Sequence, residues 1–219
     1  MSKIVVFGTG EIAQLAKYYF DTDSDFEVVA FCVDKEYKNG DLFEGLPLVD
    51  FDNVDKLYPV NEYKMFIALS YSGMNKIRED KYFKSKEKGY ELVSYVSSKC
   101  SYLSQFIHGD NCFILEDNTI QPFVRIGSNV TLWSGNHVGH HSEIKDHLFI
   151  SSHVVISGHC KVESNVFLGV NSTIGHAIKI AKGSLIGAGS IIIRDTAENS
   201  VYVPQKSIKL EKNSSEIKI

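Results

Sequence analysis

Fourteen consecutive hexads run from Ile114 to Ala197 without an insertion. Each begins with Ile, Leu or Val: Ile114, Ile120, Ile126, Leu132, Val138, Ile144, Ile150, Ile156, Val162, Leu168, Ile174, Ile180, Ile186 and Ile192. A strict six-residue period matches neither the roughly 3.6 residues of a helical turn nor, alone, the two-residue alternation of a half-buried strand. It fits a solenoid in which short strands are separated by regular corners. The sequence therefore predicts a parallel β-helix. The fourth residue after each aliphatic is mostly small or modest (Ser142, Val154, Cys160, Val166, Ser172, Ser184, Ser190). The residue directly after it is Gly at 127, 139, 169, 175 and 187, where a corner calls for bare backbone.

The first hundred residues follow another period. Ile4–Phe7 is a short β-branched run, Glu11–Phe20 carries apolar residues at helical spacing, and Phe26–Val33 reads as a second strand closed by Asp34. Met65–Ser70 reads as a further strand, Asn75–Lys88 as a charged surface helix and Glu91–Val96 as a last strand. The fold class is thus an α/β N-terminal domain, a small parallel βαβ sheet, followed by a parallel β-helix. The domains are expected at 1–100, 101–200 and a capping tail at 201–219, whose last dozen residues are expected to hang loose.

Composition excludes several classes. A net charge of −4 over 219 residues leaves no general basic footprint, which argues against nonspecific binding of nucleic acid or an anionic membrane. Met1-Ser2-Lys3 leads directly into Ile4-Val5-Val6-Phe7 without signal-peptide blocks, and no long apolar run follows, so a cytoplasmic protein is expected. Cys32, Cys100, Cys112 and Cys160 lack metal-type spacing and are expected to be reduced and structural.

Three motifs carry a resemblance. Asn136-His137-Val138-Gly139-His140-His141-Ser142-Glu143-Ile144-Lys145-Asp146 resembles the N-x-x-V-G-H-D-x-x-I-G-D motif of the hexapeptide-repeat acyltransferases that modify nucleotide-linked aminosugars, with the related sialic-acid O-acetyltransferases. Val6-Phe7-Gly8-Thr9-Gly10-Glu11-Ile12-Ala13 is similar to that family's strand–glycine–helix opening and Asn75-Lys76-Ile77-Arg78 to its N-x-x-R. Val203-Pro204-Gln205-Lys206 is similar to its G-x-P-A-K ending. The resemblance implies a left-handed coil with three hexads per turn, a homotrimer with clefts between chains, and no metal. It also implies acetyl transfer from acetyl-CoA to the amino group of a nucleotide-linked 4-amino-4,6-dideoxy sugar. Sugar O-acetylation, transfer of a longer acyl chain, a metal-dependent hydratase and a noncatalytic scaffold are the alternatives.

Three hexads per coil put residues eighteen apart on neighbouring rungs, about 4.8 Å from one another. The inward columns are then continuous and apolar, and Asn118 and Asn136 form an internal amide ladder. His141, His147, His153 and His159 recur every six residues, one face of the prism rather than one coil, so only His141 and His159 share a face; three zinc ligands from this row within one chain are not expected, and a site shared between chains stays open. Pro122, His140, Gly158, His176 and Arg194 form an outward column.

The resemblance assigns His140 as general base and the Gly158 N–H as donor to the thioester oxyanion, although Gly158 also reads as a corner glycine. His141 stands where the family has an acid that orients the base, and Glu143 or a neighbouring chain is a candidate to take over that duty. Gly8, Thr9, Gly10, Asp34, Asn75 and Arg78 are expected to hold the nucleotide sugar, with Asp34 equally readable as an exposed strand-end acid. Gly158, His176, Gly187, Ala188 and Arg194 are expected along the CoA path. Trp133 reads as an interface filler or a stacking platform, and Phe149 replaces a second histidine of several relatives.

Overall fold

Short β-branched segments separated by one helix fold into a sheet when their apolar faces share a core, and the first sixty-seven residues do so. In a computed structural model, which describes residues 1–207, 209, 211 and 215, five strands lie in the order β3-β4-β2-β1-β5. They are β1 (Ser2–Phe7), β2 (Phe26–Val33), β3 (Leu42–Phe43), β4 (Leu46–Asp50) and β5 (Lys64–Ile67). β2 and β5 flank β1 in parallel, and β4 runs parallel to β2. Helix α1 (Glu11–Thr22) makes the crossover and buries Ala13, Ala16 and Phe20. A short α2 (Val54–Leu57) follows β4, and α3 (Lys76–Glu87) follows β5. The expected Glu91–Val96 strand is absent: Leu92 makes a single bridge to Met65, and Tyr95–Val96 pairs instead with Phe113–Ile114.

That pairing is the first rung of the solenoid, ahead of the boundary read at 100/101. Val96, Tyr102 and His108 continue the hexad phase backwards from Ile114, but their mixed polarity hides the period. From there, two-residue strands stack in three parallel sheets with partners eighteen residues apart, as in Thr131↔Phe149 and His137↔Val155. All fourteen hexad aliphatics are buried, none more than 7% exposed. Val201–Tyr202 adds a parallel rung on Leu185–Ile186. The loose end expected of the last dozen residues falls for the most part outside the described residues.

The corners correct one sequence inference. The glycines directly after the aliphatics do not take positive φ; Asp117, Phe123, Asn129, Gly135, His141, His147, His153, His159, Asn165 and Asn171, three residues past each aliphatic, do. The corners from Asp117 to Gly189 all turn through the left-handed region, which Asn, Asp and His enter more readily than other side chains. The six-residue histidine row is therefore a consequence of backbone conformation. The glycine at 139 is needed for stacking: a Cβ there would lie 2.5 Å from Gly158 N.

The amide ladder is also different in detail. Asn118 Oδ1 accepts from Asn136 N–H at 3.1 Å and Asn136 Oδ1 from Val154 N–H at 2.7 Å, so each side chain serves the main chain of the next rung. A second ladder, unforeseen, runs along one corner. Asn111 Nδ2 donates to Asn129 Oδ1 at 2.9 Å, and Asn129 Nδ2 meets His147 Nδ1 at 2.8 Å.

The three faces of the prism have different fates. One, through Phe113, Thr131, Phe149 and Phe167, lies under the N-terminal domain, which is tied to it by Asn111, Asn75 and Arg78. A second is charged, with Lys145 on Glu143 at 3.0 Å and Lys161 on Glu163 at 3.0 Å. The third presents Val155, Ile191 and Ile193, at 40%, 71% and 72% exposure, beside Thr119, His137 and Thr173.

His147 sits in the covered seam, 3.8 Å from Glu79 and between the rings of Tyr82 and Phe83. Burial holds its pKa below the usual 6.5, more than Glu79 raises it. The unfolded chain then takes up a proton that the folded seam resists, so stability falls as pH drops through 6.5. Burial alone would raise the Glu79 pKa, but hydrogen bonds from Lys76 and Asn165 outweigh it, so further stability is lost below 4.5. Thermal unfolding between pH 8 and pH 5 is expected to show this acid loss, with a shallower slope between pH 7 and pH 5 in His147→Asn. An identical slope would place the titrating group elsewhere.

Candidate active site

The residues singled out by sequence gather at two main places on the chain, with the rest scattered away from both. The first is the turn between β1 and α1. Gly8 has φ +127°, and a Cβ there would lie 2.7 Å from Ala68 O, so only glycine fits. Gly10 is extended, with open space where a side chain would project. Among the described residues the N–H groups of Glu11 and Ile12 have no protein acceptor, which leaves the α1 N-terminus ready for an anion.

A cleft of about 540 Å³ opens beside this turn. Gly10, Glu11 and Ile12 form one wall, Ser70, Tyr71 and Ser72 another, and Trp133 and Phe149 the floor. Tyr71 packs 4.9 Å from Phe149 and 4.6 Å from Phe167. Trp133 is half-buried against the N-terminal core and also lines the cleft, so both readings of it meet. Helix-end donors, hydroxyls and aromatic faces suit a phosphorylated ligand with a flat ring.

Three of the expected sugar-nucleotide residues are elsewhere. Asp34 accepts from Lys81 Nζ at 2.6 Å and borders a separate cavity of about 350 Å³ with Phe51 and Lys88. Asn75 is fully buried and donates to Val166 O at 3.2 Å. Arg78 is 1% exposed and donates to Thr131 Oγ1 at 2.9 Å, Leu148 O at 2.7 Å, Asn129 O at 3.2 Å and Asn75 Oδ1 at 3.1 Å. Burial lowers its pKa to about 10, so it stays charged at neutral pH. Asn75 and Arg78 are therefore staples between the domains, closed off from any ligand in this arrangement.

The second place is the corner after His137–Val138. His140 is exposed, and a Cβ added at Gly158 would lie 2.9 Å from both its Cε1 and its Nε2. The imidazole lies directly against the glycine of the next rung. Gly158 does not take positive φ, and its N–H has no protein acceptor among the described residues. His140 Nδ1 is 3.1 Å from His141 Nδ1. When His141 Nδ1 accepts, His140 carries its proton on Nδ1 and presents a bare Nε2 towards Gly158.

Glu143 does not take the orienting duty: its carboxylate pairs with Lys145 on the charged face. His141 instead stacks between Phe123 at 4.5 Å and His159 at 4.9 Å. Burial, then the neighbouring histidines, hold the His159 pKa below its ordinary value. Exposed His176 and Arg194 continue the His140 column, with the His176 ring 5.3 Å from His159. Gly187 and Ala188 sit on a different corner, the one that follows the covered face.

Solved structures align over nearly the whole chain. The acetyltransferase domain of PglB from Neisseria gonorrhoeae matches with TM-score 0.77 and 16% identity, over 92% of this chain and 96% of that one. A histidine-to-asparagine variant of perosamine N-acetyltransferase from Caulobacter crescentus, solved with CoA and GDP-perosamine, matches with TM-score 0.77 and 18% identity, over 92% and 91%. WeeI from Acinetobacter baumannii matches with TM-score 0.77 and 17% identity, over 92% and 96%. The chain shares their left-handed β-helix fold. No family model matches the sequence.

Several residues at these places escaped the sequence reading. Tyr71 and Ser72 lie in a loop with no periodic signal, and Ser70, read from the sequence as a strand end, lies beyond β5, which closes at Ile67. Phe167 was legible, because it stands eighteen residues after Phe149 in the same outward column. Phe123 was hidden by its type, since a bulky aromatic at φ +67° is an unusual corner residue.

Proposed function

We propose that this chain transfers an acetyl group from acetyl-CoA to the amino group of a nucleotide-linked 4-amino-4,6-dideoxy sugar. The observation that carries the reading is the His140 corner: an exposed imidazole with a free Nε2, set against a glycine N–H that lacks an acceptor. His140 Nε2 takes a proton from the acceptor amine as its nitrogen attacks the thioester carbonyl. The Gly158 N–H donates to the oxygen that becomes negative, and CoA leaves as the thiol. No covalent enzyme intermediate is required. Three of the aligned structures hold CoA together with GDP-perosamine, which supports a nucleotide aminosugar as acceptor.

His176 and Arg194 continue the His140 column towards the coil end and are assigned to CoA. The cleft at Gly8–Gly10 is assigned to the nucleotide diphosphate, with the free N–H groups of α1 on phosphate and the aromatic floor beneath the base. The cleft and the His140 corner lie on different faces of one chain, so a sugar held in the cleft reaches a base on a neighbour. A trimer formed through the apolar third face meets that need. Light scattering at micromolar concentration is expected to give three chains per particle; a monomer would break the account of the shared site.

Replacing Gly10 with Val tests the cleft. The extended backbone tolerates Val and nothing lies within 4 Å of the added Cβ, so folding is unaffected. Calorimetry is expected to show weaker nucleotide-sugar binding and unchanged CoA binding; unchanged sugar affinity would make the turn purely structural. The reaction itself is tested by product analysis after incubation with acetyl-CoA and a nucleotide-4-amino sugar. One acetyl group on nitrogen is expected, and acetyl on oxygen would overturn the N-transfer reading.

A further inference from the structure

The corner after His137–Val138 gathers more imidazole than one general base needs. A ring nitrogen from each of His140, His141 and His159 lies within 4.8 Å of the other two, and all three side chains are exposed. His140 and His141 are already paired at 3.1 Å. A tetrahedral cation with bonds of about 2.0–2.1 Å holds its nitrogens roughly 3.3 Å apart. The His159 ring, stacked on His141 with the planes 6° apart, stands beside that pair and must turn to complete the set. Glu143, the nearest carboxylate in sequence, is engaged by Lys145, which leaves an imidazole-only donor set. Such a set suits Zn²⁺, Cu²⁺ and Ni²⁺ rather than Mg²⁺ or Ca²⁺.

Backbone conformation does not demand histidine at these corners. His141 and His159 take φ +59° and +60°, and Asn129, Asn165 and Asn171 take the same conformation elsewhere on the coil. Three imidazoles at one spot therefore exceed what the fold requires.

We propose that His140, His141 and His159 bind a borderline transition-metal cation, Zn²⁺ foremost, and that occupation shuts off proton transfer at His140. The shut-off rests on the base assignment made above; the binding does not. Ligation through His140 Nε2 takes the lone pair that would accept the proton. Ligation through Nδ1 moves the ring proton to Nε2, with the same result. Metal and acceptor amine thus compete for one nitrogen pair.

The test is calorimetric titration of the full chain with ZnCl₂ and with MgCl₂, beside His159→Asn and His153→Asn. Wild type is expected to bind about one Zn²⁺ per chain and no Mg²⁺. His159→Asn keeps the corner conformation and lies outside the assigned transfer machinery; it is expected to bind Zn²⁺ at least about tenfold more weakly. His153→Asn, at the same corner position one face away, is expected to bind as wild type. X-ray absorption of the zinc-loaded protein is expected to show nitrogen at about 2.0–2.1 Å and no sulfur near about 2.3 Å. In the acetyl-transfer assay Zn²⁺ inhibits wild type, and His159→Asn keeps its basal turnover while losing that inhibition. Absence of Zn²⁺ binding, equal affinity in His159→Asn or a sulfur shell overturns the proposal. If no acetyl transfer is found at all, the function falls and the binding and absorption results still decide the site.

Discussion

His140→Asn is expected to lower kcat by about 10²–10⁴-fold, the usual contribution of a positioned general base, while the fold and acetyl-CoA affinity stay near those of wild type. The ring is exposed and its removal leaves no cavity in the core, so the coil does not depend on it. Steady-state kinetics with saturating sugar nucleotide make the measurement. His141→Asn is the companion variant. It preserves the left-handed corner and removes the Nδ1 partner 3.1 Å from His140, so a smaller loss of kcat is expected. If His141→Asn abolishes turnover and His140→Asn leaves it near wild type, the base is His141 and Gly158 is only a stacking glycine.

The second large effect is at the seam between domains. Arg78→Met removes a guanidinium that bridges α3 to three successive parts of the coil: Asn129, Thr131 and Leu148. Leu148 O keeps a bond from Thr131 N–H, but Asn129 O is left buried without a donor. Loss of the charged hydrogen bonds outweighs the relief of uncovering a desolvated cation, and stability is expected to fall by about 2–4 kcal/mol. Chemical denaturation reads this directly, and hydrogen exchange should localise the loosening to α3 and the rungs beneath it. Arg78→Lys restores little, because an ammonium lacks the fork that reaches several acceptors at once. Unchanged stability with collapsed nucleotide-sugar affinity would return Arg78 to the ligand-binding role that its motif suggests.

That contrast shows where sequence was sufficient. The hexads encode the solenoid almost completely, because one aliphatic per corner-to-corner segment leaves each rung a single way to bury its face. The rung spacing also placed Gly158 beside His140 before any coordinates. What sequence did not encode was the seam. Asn75 and Arg78 match a motif, yet their partners Thr131, Leu148 and Val166 lie fifty or more residues away. Only the docking of α3 on one face decides that these side chains are buried. The histidine row, set aside on the sequence as one face per step, has a local cause: its period reports the φ of each corner, not a chemistry shared by the four side chains. The three imidazoles that do meet come from two columns one residue apart, which no single period reveals.

The most direct measurement is release of free thiol from acetyl-CoA by the purified protein. It is made with each nucleotide 4-amino-4,6-dideoxy sugar in turn, with the same amino sugars lacking the nucleotide, and with no acceptor. Rapid release is expected with at least one nucleotide-linked amine, with slow release from the free amino sugars because the cleft at Gly8–Gly10 is then empty of its diphosphate. Equal release with and without the nucleotide would contradict the role of the N-terminal domain. Absence of release with every amine, in protein that binds CoA, would contradict acetyl transfer at the His140 corner.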